Sequence, residues 1–161
     1  MSICAQCATL GSTCCCVNRD IFVTQGDIER IARIVGHLNF FEQRQPLDPA
    51  YLEQDDDPNW LRYTMRPDGT RRVLKHGPDN VCCLVTPSGC VLPTEARPLV
   101  CRLYPFMYNE HGLTGVLSEC PEYLLSQNET ILDALRMSYD EARVWRDMLY
   151  AELRAESRNI A

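Results

Sequence analysis

Ten cysteines dominate the chemistry open to this chain, and they fall into two groups. The first reads Cys4-x2-Cys7-x6-Cys14-Cys15-Cys16. The second reads Cys82-Cys83-x6-Cys90-x10-Cys101, with Cys120-Pro121 beyond it. A thiolate is a nucleophile, a redox group and a soft metal ligand. Thiols at this density admit two chemistries, a disulfide framework or a metal site. A Cys-x2-Cys pair lets two sulfurs reach one metal from a tight backbone turn. Here further thiols follow closely in both groups, which points to metal. Adjacent cysteines add geometric information. Neighbouring side chains on an extended segment point to opposite faces, so vicinal thiols suit two neighbouring centres or one polynuclear cluster. Alternatively, one thiol of each pair ligates and the other packs as a small apolar group. All-cysteine ligation suits zinc or an iron–sulfur cluster. Arg97 and Arg102 flank Cys101, placed to offset the negative charge of bound thiolates and to donate to sulfur. Cys120-Pro121 echoes the Cys-Pro that closes bacterial ferredoxin motifs, which tilts the expectation towards iron–sulfur.

Other candidate groups are isolated. His37, His76 and His111 have no ligand partner at a recognisable spacing. Asp55-Asp56-Asp57 lies in a Pro-flanked stretch and reads as solvated charge. Tyr63, Tyr104 and Tyr108 read as hairpin packing.

The elements that must position the thiols are short until the last third of the chain. Residues 1–20 read as a cysteine-rich loop. Thr24 followed by Asp27 signals a helix start, and Ile28, Ile31, Val35 and Leu38 keep helical spacing, so a helix is predicted over 25–37. Phe40 and Phe41 extend this as a second short helix to Arg44. Residues 46–59 hold Pro46, Pro49 and Pro58 and read as exposed loop. The Pro67-Asp68-Gly69 turn predicts a hairpin between Leu61–Met65 and Arg72–Lys75. A short buried strand is expected over 81–85 and a short helix from Thr94 to Cys101. A second hairpin is expected about Asn109–Gly112. From Gln127 to Ser157 there is neither Gly nor Pro, and Ile131, Leu135, Ala142, Trp145, Leu149 and Leu153 form an apolar stripe. This predicts a long amphipathic helix, or two with a kink. The fold expected is α+β: a small, irregular, metal-organised domain over 1–125 with short hairpins, and a C-terminal helix over 126–161 packed on it or presented to a protein partner.

A chain of 161 residues with ordinary apolar content can bury a core without disulfide staples. The opening Met-Ser-Ile-Cys-Ala-Gln-Cys has no basic or apolar leader pattern, and no run of about 18 apolar residues follows. The expectation is a cytoplasmic protein with reduced thiols and no membrane partner. A net charge of -6 argues against nucleic acid, which favours a basic face.

One stretch carries a family likeness. Cys4-x2-Cys7, Cys14-Cys15, Cys82-Cys83-Leu84-Val85, Cys90 and Arg97-Pro98-Leu99-Val100-Cys101-Arg102-Leu103-Tyr104-Pro105-Phe106 together resemble the YkgJ-type cysteine-cluster proteins. These are also called the CxxCxxCC family and are described as zinc- or iron-chelating. The likeness covers about residues 4–120 in scattered blocks, and the Arg-Pro-x2-Cys-Arg block is its most specific part. It implies that Cys82 ligates rather than Cys83, and Cys14 and Cys15 rather than Cys16. The chain departs from the family in its longer gap between Cys7 and Cys14 and in Cys120-Pro121 beyond the usual core. The favoured metal ligands are therefore Cys4, Cys7, Cys14, Cys15, Cys82, Cys90, Cys101 and Cys120, as two four-thiolate sites or one site with spares. The metal would join the two groups and contribute folding free energy. The likeness also touches flagellin lysine methylases, larger proteins thought to bind an iron–sulfur cluster. The leading expectation is a metal-binding protein holding iron–sulfur or zinc. The alternatives are a metal-dependent enzyme related to flagellin methylation, and a metal-delivery or thiol-redox protein.

Overall fold

The computed structural model describes residues 3–10, 15–53, 55–117 and 119–159. The fold is α+β, with short antiparallel hairpins and a long C-terminal helix. The cysteine-rich start is partly helical, because Ile3–Thr9 forms α1 and places Cys4 and Cys7 one turn apart. α2 spans Gln25–Val35 and opens on a capping box. The Thr24 hydroxyl accepts the Asp27 N–H at 2.9 Å, and the Asp27 carboxylate accepts the Thr24 N–H at 3.0 Å. Gly36 ends the helix at φ 78, a left-handed position that costs glycine nothing.

The short helix expected through Arg44 is instead strand β1, Phe41–Arg44. It pairs antiparallel with β2, Arg71–Leu74. The expected hairpin between 61–65 and 72–75 does not form, and Trp60–Thr64 is helix α3. Its turn is nevertheless present, closed by Arg66 N–H to Thr70 O at 2.8 Å. Both edges of β2 are already taken. β1 fills one, and residues 21–23 bond the other, with Val23 N–H to Arg72 O at 3.2 Å and Leu74 N–H to Ile21 O at 2.9 Å. Helical α3 instead turns Trp60 and Tyr63 onto the ring of Tyr150.

β3 (Val85–Thr86) and β4 (Gly89–Cys90) make a minimal hairpin, where one buried strand over 81–85 was expected. The helix expected over 94–101 is split into a 3-10 turn, Thr94–Ala96, and α4, Leu99–Leu103. Pro98 has no N–H to continue the ladder and sits at the start of α4 instead. β5 (Phe106–Asn109) and β6 (Gly112–Val116) form the second expected hairpin. The C-terminal stretch is two helices, α5 (Ile131–Leu135) and α6 (Tyr139–Asn159).

Two apolar clusters meet at residues 21–23. Ile21 and Val23 join Ile28, Ile31, Phe40, Leu74 and Cys82 on one side. Phe22, pointing the other way as strand alternation requires, joins Leu99, Leu103, Leu149 and Leu153. α6 thus packs on α4, with Ala142, Leu149, Tyr150 and Leu153 buried. The acidic run is not all solvated as expected. Asp57 is buried and accepts the Tyr150 hydroxyl. Among the described residues no helix is long and apolar enough to cross a membrane.

Candidate functional site

Backbone pairing brings the two cysteine groups together. Cys15 and Cys16 lie in a turn, and the Cys16 carbonyl accepts the Cys82 N–H at 2.8 Å. Val17 is bridged antiparallel to Val81, and Asn18 N–H donates to Asn80 O at 3.0 Å. Cys82 is also bridged to His76. Cys90 lies on β4, against which α1 packs. Cys101 lies on α4, whose Leu99 N–H is held by the buried Asp27 carboxylate at 3.1 Å. Cys120 follows β6, with its sulfur 3.9 Å from the Tyr104 hydroxyl.

These segments enclose two adjoining cavities. The smaller, about 410 Å³, is lined by Cys4, Cys7, Cys15, Cys16, Cys101 and Cys120, with Arg97 and Arg102 beside them. The larger, about 680 Å³, shares Cys4, Cys15, Cys16 and Cys101 and adds Cys82 and Cys90. Each sequence-predicted ligand within the described residues lines one or both. Cys14 lies outside the described residues. Cys16, expected to pack away, faces both cavities. Cys83 faces neither. It is exposed, and its sulfur stands 3.5 Å from the Phe40 carbonyl.

The vicinal sulfurs of Cys15 and Cys16 are 3.8 Å apart. The opposite-face expectation assumed extended chain, whereas these residues turn and bring both sulfurs to one side. Sulfurs about 2.3 Å from a tetrahedral zinc stand roughly 3.8 Å from one another. One edge of such a site is therefore present. Among the described residues, however, no three His, Cys, Asp or Glu groups converge closely enough to hold a single ion. Thiolates on separate irons of a cluster stand farther apart than thiolates on one ion. The soft, sulfur-rich donor set fits thiophilic metal.

The electrostatics disfavour thiolates in the absence of added positive charge. Burial pushes the Cys101 thiol well above its usual range, the neighbouring Cys16 and Cys90 push it the same way, and Arg97 pulls it back. Burial likewise raises the Tyr104 hydroxyl, with Cys120 and Cys15 adding to it. Ionising these groups would therefore call for added positive charge beside them. Arg102 is buried, and it donates Nε to Arg97 O at 2.8 Å and Nη2 to Glu95 O at 2.6 Å. Arg97 donates Nε to Leu92 O at 3.1 Å. The two arginines thus brace the loop ahead of α4 while facing the thiols. Burial and the nearby Arg30 lower the Arg102 pKa.

The three histidines stay outside both cavities. His37 accepts the Asn39 N–H at 3.1 Å, His76 sits between Arg19 O and Arg44, and His111 is exposed in the β5–β6 turn. Sequence reasoning missed Tyr104, Trp145 and Arg136 as cavity residues. Trp145 was read as core stripe, and only the break between α5 and α6 could have signalled Arg136. Comparison of the chain with protein-family models, curated proteins and solved structures produced no match.

Proposed function

We propose that this protein binds a thiolate-held metal centre, an iron–sulfur cluster in preference to zinc, through both cysteine groups. The observation that carries the reading is the assembly of Cys4, Cys7, Cys15 and Cys16 with Cys82, Cys90, Cys101 and Cys120 around two adjoining cavities. The resemblance of residues 97–106 to YkgJ-type proteins points the same way. Arg97 and Arg102 would offset the charge of the bound thiolates and tune them from outside. When bound, a cluster would supply one-electron chemistry or a rigid cross-link between the two segments. Anaerobic purification followed by an absorption spectrum and elemental analysis tests the reading. A brown, dithionite-bleachable protein containing iron and sulfide is expected. A colourless protein with stoichiometric zinc would select zinc, and a folded protein carrying neither metal would sink the proposal.

A thiol-redox role is the second reading, and the Cys82–Cys83 pair favours it. The Cys82 thiol donates to Cys83 and holds the exposed Cys83 thiolate down at about 7, against the effect of burial and with help from Lys75. Such a thiol is a competent nucleophile near neutral pH. Rapid alkylation of Cys83 in folded, metal-free protein, together with reversible oxidation, would support this role. A Cys83 that alkylates no faster than a free thiol would remove it.

A further inference from the structure

Part of the smaller cavity's lining carries no thiol. It is built from Ile131 and Leu135 on α5, Met137 in the connection, and Trp145 on α6. Arg136 stands at the rim, exposed and shared with the larger cavity. Its backbone is left-handed at φ 54, rare for a residue with a side chain, and is held there by N–H bonds to the Asp133 and Leu132 carbonyls. Of the two carboxylates at this cavity, one is ion-paired and the other accepts a hydroxyl. Glu119 pairs with Arg19 at 2.5 Å, and Glu141 accepts the Ser138 hydroxyl at 3.0 Å. Among the described residues no ion pair engages Arg136, Arg97 or Arg102.

An apolar wall with a guanidinium group at its edge is complementary to an amphiphilic anion. A bare inorganic anion would leave the hydrocarbon wall wet. A neutral hydrocarbon would leave the cation without a partner. A carboxylate on a short hydrocarbon body satisfies both, since guanidinium pairs with carboxylate in a planar fork. We propose that the α5–α6 side of this cavity binds a small organic monocarboxylate, its head on Arg136 and its body against Leu135 and Trp145. This rests on the metal reading only for what fills the thiol-lined part. The ligand would lie beside the metal centre and make the cavity a substrate or effector site.

Hexanoate is the probe, with hexan-1-ol and acetate as the headless and tailless comparisons. Anaerobically purified protein is titrated by calorimetry while tryptophan emission is followed, and metal content is measured on the same sample. One saturable hexanoate site is expected, with both comparison compounds at least about tenfold weaker. Arg136→Gln should weaken hexanoate about tenfold, and Arg136→Lys should recover part of the loss. Trp145→Phe should abolish the emission change while leaving that of Trp60. Absence of saturable binding by metal-loaded protein overturns this proposal alone. So does hexanoate affinity unchanged in Arg136→Gln. Hexanoate binding by folded protein without metal would uphold this site and sink the metal reading instead.

Discussion

The half of the molecule around α2, α4 and α6 and the half around the thiols are built on different principles. In the first half, buried side chains pack together and the Asp27 carboxylate is fully partnered. Asp27, fully buried, accepts from Thr24 and Leu99 and pairs with Arg30 at 2.7 Å. Arg30 in turn reaches Glu152 on α6 at 2.6 Å. Glu152 sits over the start of α2, where a Cβ on Gly26 would lie 2.6 Å from its carboxylate. That hub ties three helices to one point. The thiol half is mixed: its 82–101 stretch shares the main core through Cys82, Leu84, Leu92 and Ala96. The N-terminal thiol segments bury a small cluster of Cys7 and Val17 and meet residues 81–82 through backbone bridges beside the cavities. Burial supplies stability at about 25 cal/mol per Å² of apolar surface, and residues 3–10 and 15–18 have little such surface to bury. On the proposed function, those segments would rely on what their sulfurs bind while the rest stands on packing.

The largest test of the contrast is metal removal. A chelator that strips the centre should collapse hydrogen-exchange protection over 3–10 and 15–18, while α2, α4 and α6 retain theirs. Binding of this kind is worth on the order of 10 kcal/mol in structural zinc sites. Cys101→Ser should copy the effect, with metal lost and melting temperature lowered. Equal loss of protection in both halves would erase the distinction.

The next test strikes the packed half. Asp27→Asn leaves the shape but removes the charge shared by Arg30 and two backbone donors. A loss of about 2–3 kcal/mol in urea unfolding is expected, with metal content unchanged. Loss of metal in this variant would show that the hub also positions Cys101 through α4.

A smaller effect is expected from Asp20 in acid. Burial alone would raise this carboxyl, but the Leu47 N–H, Arg71 and Arg44 outweigh it and hold it below its usual 3.8. Its folded value lies under its unfolded one, so its contribution is fully present above 3.8 and is lost as pH falls through the lowered value. Asp20→Asn should therefore flatten the acid limb of the stability curve below 3.8 and leave the thiol centre untouched.

The smallest effect compares two equivalent caps. Thr130 caps α5 in the open, with its own Asp133 completing the box, whereas Thr24 is buried beneath Glu152. Thr130→Ala should cost about 1 kcal/mol or less, and Thr24→Ala more. Equal losses would mean that burial adds nothing to the cap.

Local chemistry determined what could be read from the chain alone. The Thr24–Asp27 box, the Asp68-Gly69 turn, the Asn109–Gly112 hairpin and the interrupted C-terminal helix depend on neighbours within a few residues. The two cysteine groups were legible as types and spacings for the same reason. Tertiary structure decided what depends on distant partners. β2 took β1 and residues 21–23 rather than its neighbour in sequence, which released residues 60–64 to form a helix. Asp57 was drawn inward by Tyr150, far along the chain. The Cys15–Cys16 turn placed both sulfurs on one side, where spacing alone implied opposite faces. The sequence by itself determined that these sulfurs come in two groups. Only the fold could decide that they share a cavity, because the bridge from Val17 to Val81 joins residues no local rule connects.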